Sequence, residues 1–155
     1  MPTHSERRRL PFAPQQLFDL VADIERYPEF LPWCVACRIT QREGNVVWGD
    51  LMVGFKLFRE TFTSKVTLLP PSGIDVEYVD GPFRHLVNHW RFQAAEDGNA
   101  TDIDFFIEFE FRSRLLQRVA TGVFHEAFRR MVRAFEQRAQ ALHGAAGGAV
   151  LSGAG

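Results

Sequence analysis

Cysteine, tyrosine and lysine are nearly absent from this chain: two Cys, two Tyr, and Lys only at positions 56 and 65. With so few cysteines and no export signal, a reducing cytosol is expected and a disulfide scaffold is excluded. The basic residues Arg7-Arg8-Arg9 precede Leu10-Pro11-Phe12, an apolar stretch too short and broken for a signal peptide. No apolar run approaches the ~18 residues that a spanning helix needs. Net charge is −1, so the overall field gives no reason to expect DNA as a partner.

Catalytic motifs are missing as well. There is no G-x-S-x-G elbow and no phosphate-cradling glycine loop. His125-Glu126 lacks the second histidine of H-E-x-x-H. Cys34-Val35-Ala36-Cys37 has the spacing of half a zinc site, but no second ligand pair follows. The pair leads into an expected strand, where residues three apart face opposite ways, so a redox pair is not expected either. Buried, inert thiols are the expectation. No catalytic residue and no metal ligand is assigned. For acid–base chemistry by a lone histidine, the candidates are His85, His89 and His125.

What is abundant is phenylalanine, with 15 residues. Phe carries no polar handle and can line a dry interior without a hydrogen-bond partner. The densest apolar segment is Tyr27-Pro28-Glu29-Phe30-Leu31-Pro32-Trp33-Cys34. Its prolines forbid a regular strand or a long helix. An apolar, proline-stiffened turn either plugs a core or closes a pocket, and the pocket is the favoured reading.

At 155 residues one domain is expected. A strand over 4–11 precedes a helix opened by Pro14, with Leu17, Phe18, Val21 and Ile24 at helical spacing. From Cys34 to Arg112 the period is two, most clearly over Thr101 to Phe111, where Ile103, Phe105, Ile107 and Phe109 alternate with acids. About six strands joined by short turns follow from this. From about Ser113 to Leu142, Leu116, Val119, Val123, Phe124, Ala127, Phe128, Met131, Phe135 and Leu142 form one face of a long helix. Gly122 within it marks either close packing on the sheet or a softened point. The architecture is α+β, a curved antiparallel sheet facing a long C-terminal helix, with a cavity wherever side chains do not fill the gap.

Three clusters in this order carry a family resemblance. They are Tyr27-Pro28-x-Phe30-Leu31-Pro32-Trp33-Cys34; Asp80-Gly81-Pro82-Phe83-x-x-Leu86-x-Asn88-x-Trp90-x-Phe92; and Phe109-x-Phe111-x-Ser113, followed by Ala127-Phe128-Arg129-Arg130-Met131 and Ala134-Phe135-Glu136. The chain resembles the START-type, helix-grip superfamily, and within it the coenzyme Q-binding branch. Bacterial members of that branch are also named ribosome-association toxins. The resemblance covers residue 4 to about 143.

It implies a START-like domain over 1–143, with a disordered Gly/Ala-rich tail at 144–155. It also implies non-catalytic binding of a polyprenylated quinone such as ubiquinone, supporting respiratory electron transfer or quinone delivery. The quinone would be a bound ligand, and no cofactor is expected. Expected at the mouth are the Tyr27–Trp33 turn with Phe30, and the Asp80–Phe83 turn. The expected lining is Leu51, Val53, Phe62, Tyr78, Trp90, Phe105, Val123 and Phe128. Asn88 and Glu60, polar among apolar neighbours, are either satisfied core groups or point into the cavity; Asn88 could donate to a quinone carbonyl.

Transient contact with the inner face of the cytoplasmic membrane is expected through Arg112, Arg114 and Arg118 and through the segment Gly54 to Arg59. Two other roles stay open. One is ribosome association through Arg129, Arg130 and Arg133; the other is a cyclase-like enzyme using His89 or Glu60.

Overall fold

The computed structural model describes residues 3–31, 33–55, 58–95 and 100–144, apart from the side chains of Phe55, Phe58 and Val123. Pro32, Lys56, Leu57, residues 96–99 and the tail from 145 onward therefore lie outside the described residues, as does the Val123 side chain.

Seven strands form one antiparallel sheet: β1 (Thr3–Leu10), β2 (Cys34–Glu43), β3 (Val46–Phe55), β4 (Phe58–Leu69), β5 (Gly73–Asp80), β6 (Phe83–Ala94) and β7 (Thr101–Phe111). Their spatial order is β1-β7-β6-β5-β4-β3-β2. From β2 onward each strand pairs with the next, and β1 closes the far side against β7. The chain crosses from β1 to β2, the opposite edge, through α1 (Pro14–Ala22) and a short 3-10 helix (Ile24–Glu29). α2 (Arg114–Ala139) then covers one face.

Alternation sets the layers. On β7, Ile103, Phe105, Ile107 and Phe109 are buried, while Asp102, Asp104, Glu108 and Glu110 face outward. The outer acids meet arginines of β1: Arg9 Nε donates to Asp102 at 2.7 Å, and Arg7 Nε lies 3.4 Å from Asp104. The Arg9 hydrogen bond holds the Asp102 carboxyl below its ordinary range. Phe106, the residue that breaks the alternation, stacks on His89 on the outer face.

Pro14 opens α1, where its missing N–H costs nothing, and Gln16 Oε1 accepts from Ala13 N at 2.9 Å. α2 is capped by Ser113, whose Oγ accepts from Leu116 N at 3.2 Å. Its buried stripe is Phe124, Met131, Val132, Phe135 and Ala139. Leu142 leaves that stripe and is 50 % exposed. The helix widens into a π turn over Gln140–Gly144, which rotates the last residues off the apolar face.

Gly122 does not pack on the sheet: a Cβ there meets nothing within 4 Å. Gly122→Ala is expected to stabilise the protein by about 1 kcal/mol through helix propensity alone. A thermal melt should show a rise of a few degrees.

His4 of β1 is buried, and its Nδ1 lies 3.0 Å from Nδ1 of His125 on α2. Phe105 and Phe128 flank its ring, Glu6 lies 3.6 Å from its Nε2, and Arg129 adds positive charge from α2. Burial, ahead of the other influences, pushes the His4 imidazole below its ordinary pKa. The unfolded chain therefore binds a proton here more readily than the folded one. Stability is full above about pH 6.5 and falls as pH drops below it. Melting temperature is expected to decline between pH 7.5 and 5.5, and His4→Phe should flatten part of that slope.

An apolar cavity under the C-terminal helix

Sheet and α2 do not meet everywhere. α2 rests chiefly on α1, β1 and β7, leaving an apolar cavity of about 290 Å³ between the helix and the sheet. The floor comes from the inward positions of six strands, β2 to β7, including Leu51, Val53, Phe62, Val76, Trp90 and Phe105. The roof is α2, through Leu116, Val119, Ala120, Phe124, Ala127 and Phe128, with Met131 and Phe135 further along. Val119, in the second turn of α2, lines the cavity and is also 37 % exposed.

Ten of the sequence-expected residues lie in the wall: Tyr27, Trp33, Leu51, Val53, Phe62, Phe83, Asn88, Trp90, Phe105 and Phe128. Two do not. Phe30 stands behind the wall, edge-on to Phe135 at 5.2 Å, with the Arg138 guanidinium over its ring at 5.2 Å. Tyr78 sits at the bulged β4–β5 register, where its hydroxyl accepts from Phe83 N at 3.1 Å and its ring braces Phe83. Of Val123 only the backbone, within α2, is described.

The Tyr27 turn contributes Tyr27, Leu31 and Trp33 to the wall. Tyr27 is edge-on to Phe135 at 5.2 Å, and its hydroxyl donates to the Val21 carbonyl. Burial raises the Tyr27 phenol well above its ordinary range, so it stays a neutral donor. The Asp80–Phe83 turn is fastened to the start of α2 instead: Arg112 N donates to Pro82 O at 2.8 Å and Arg112 Nε to Phe83 O at 3.0 Å.

Cys34 and Cys37 face the same way, contrary to the expectation for residues three apart in a strand. A bulge between Cys34 and Ala36 makes Val35 an extra, outward residue, 40 % exposed. Cys34 then opposes Val53 and Cys37 opposes Leu51, both cavity-facing positions. Both thiols are free. Burial pushes Cys34 up to about 12 and Cys37 up to about 11, so neither is a nucleophile near neutral pH. Among the described residues no cluster of three or more His, Cys, Asp or Glu could hold a metal ion.

The candidate histidines do not reach the cavity. His85 and His89 lie on the outer face beside Glu108 and Asp75, and His125 meets His4. Burial raises the Asp75 carboxyl, but hydrogen bonds from Arg91 and His89 outweigh it and leave the group low.

Polar groups in the wall are few. Glu60 and Asn88 both face inward, and Asn88 Nδ2 donates to Phe106 O at 2.8 Å. Ser64 was missed by the sequence reading. Its position, two after Phe62 on β4, is the signal that could have found it.

The family described as polyketide cyclase / dehydrase and lipid transport matches residues 10–136. The chain belongs to this family. Among relatives in the family, the chain is 38 % identical to the ribosome association toxin RatA of Rickettsia prowazekii, over 84 % of this chain and 91 % of that one. It is 33 % identical to the mitochondrial coenzyme Q-binding protein COQ10 homolog B of Xenopus laevis, over 91 % of this chain and 59 % of that one.

The solved 18 kDa protein CC1736 of Caulobacter crescentus is 39 % identical, with a TM-score of 0.75 over 93 % of this chain and 99 % of that one. The Zhui aromatase/cyclase of Streptomyces shares the fold, with a TM-score of 0.79 at 15 % identity over 90 % of this chain and 93 % of that one. The two named relatives carry no reaction in their names. The shared fold also serves cyclases, so fold alone does not assign a reaction.

Proposed function

We propose that this chain is a non-catalytic carrier that holds a polyprenylated quinone, or a lipid of similar shape, in the cavity beneath α2. It would serve respiratory electron transfer or quinone delivery, ubiquinone being the quinone meant. The apolar cavity beneath α2 carries this reading, with half-exposed Val119 taken as its opening. Burial of an isoprenoid tail is worth ~25 cal/mol per Å² without any specific polar contact. The volume of about 290 Å³ is near the low end of ligand sites, so a long tail runs out through the opening. The relative named for coenzyme Q binding supports the same ligand class.

The carrier works in the cytoplasm and meets the inner face of the cytoplasmic membrane transiently. No described helix is long and apolar enough to cross a membrane. At the start of α2, Arg114 and Arg118 have no carboxylate partner among the described residues, and Leu115 beside them is 64 % exposed. Arginine and exposed aliphatic groups together suit anionic headgroups.

Trp33 and Trp90 both line the cavity. Titration with a short-tailed ubiquinone should therefore quench tryptophan fluorescence in a saturable way. Quenching that is linear and unsaturable would count against the carrier.

A second reading, ribosome association, is favoured by the relative of that name. Arg129 and Arg130 are poor anchors for it, because both pair with Glu126. Arg114 and Arg118 are the better ones. Co-sedimentation with ribosomal subunits that vanishes on Arg114→Glu/Arg118→Glu, with quinone quenching intact, would favour it.

A further inference from the structure

We infer that the cavity reads oxygen atoms on its ligand through two hydrogen-bond donors, Ser64 Oγ and Trp33 Nε1. This inference rests on the carrier reading and names the chemistry that the carried lipid must have.

Among the described residues, four buried side-chain polar atoms have no hydrogen-bond partner: His4 Nε2, Arg138 Nε, Trp33 Nε1 and Ser64 Oγ. The last two belong to residues that line the cavity. Ser64 is only 7 % exposed, so water does not satisfy its hydroxyl. Leaving a buried donor unmade is costly, and native interiors rarely tolerate it without a reason. A bound ligand is that reason if it supplies an acceptor.

The acceptor requirement comes from tryptophan. Indole Nε1 donates and cannot accept. A carbonyl or ether oxygen satisfies it, whereas a hydrocarbon cannot. Ser64 can also donate. It lies directly across from Gly49 of β3, which brings no side chain of its own to the pair. Trp33 approaches from the turn before β2, its ring edge-on to Phe128 of the roof at 6.3 Å. The two donors thus belong to wall residues on the floor and at the side of the cavity. Glu60, on the same stripe of β4, brings a carboxylate and offers only acceptors when ionised. It gives no welcome to a carbonyl, so the oxygen-bearing end is drawn to Ser64 and Trp33. The selected class is a lipid with carbonyl or ether oxygens on an otherwise apolar body.

The test compares two probes by calorimetry: ubiquinone with two isoprene units, and farnesene, an isoprenoid hydrocarbon without oxygen. Wild type, Ser64→Ala and Trp33→Phe are titrated with each. Each substitution removes one donor and should weaken ubiquinone roughly five-fold, as expected for a neutral hydrogen bond. Farnesene affinity should stay within about two-fold in Ser64→Ala, which changes little apolar area, and should fall less than ubiquinone affinity in Trp33→Phe, which also trims the ring. Ser64→Ala should melt at or above the wild-type temperature, since it deletes an unpartnered polar group. Unchanged ubiquinone affinity in both variants, or equal loss for both probes, overturns the inference while the carrier reading stands. A wild type that binds neither probe overturns both.

Discussion

Ala127→Trp should lower affinity for a short-tailed quinone by at least ten-fold while the protein stays folded. Ala127 is part of the α2 roof, facing a cavity of about 290 Å³. An indole placed there occupies space that the ligand needs, and it needs no displacement of the sheet. Each ~100 Å² of ligand surface pushed back into water costs about 2.5 kcal/mol, which alone exceeds a ten-fold loss. Filling a cavity also tends to stabilise the empty protein. Lower affinity should therefore come with an equal or higher melting temperature. Tryptophan at exposed Arg133 serves as the control and should leave affinity unchanged. Full affinity in Ala127→Trp would mean the ligand binds elsewhere.

Trp90→Ala should cost about 3–5 kcal/mol, the range for deleting a buried large aromatic. Trp90 is 4 % exposed and ties β6 to β7 and α2: its ring meets Phe105 at 4.8 Å and Phe135 at 5.1 Å, and stacks on Phe92. Those rings would face a vacancy that the rigid sheet cannot collapse to fill. A fall of roughly 10 °C in the melting temperature is expected for a chain of this length. Leu51→Ala, at a half-buried position already facing open space, should cost far less, because its outer side has few contacts to lose. Similar losses at the two sites would contradict the difference in packing between these two wall positions.

Much of this arrangement is legible in the residues. The alternation from Thr101 to Phe111 matches β7 from end to end, and the three-four spacing of α2 places Phe124, Met131 and Phe135 on the sheet. Family resemblance located most of the wall, because those motifs cluster where strands converge. The failures share a cause. Periodicity describes one element, whereas a bulge or an opening is a relation between two.

Val35 is the extra residue of the β2 bulge, and it turns Cys37 toward the cavity. Val119 has the spacing of a core residue, yet α2 does not reach the sheet beneath it. Phe30 is as apolar as its neighbours, but Phe135 captures it first. His4 and His125 are 121 residues apart in sequence, and nothing local announces their contact. Ser64 looked like an ordinary strand residue. Only the absence of any partner in a dry wall marks it.

The measurement closest to the central claim is extraction of lipid from the purified, folded chain, followed by mass spectrometry. Wild type should release a polyprenylated quinone, or an apolar lipid bearing carbonyl or ether oxygens, in near-stoichiometric amount, and Ala127→Trp should release almost none. Wild-type protein that yields no more lipid than Ala127→Trp would contradict a cavity built to carry one.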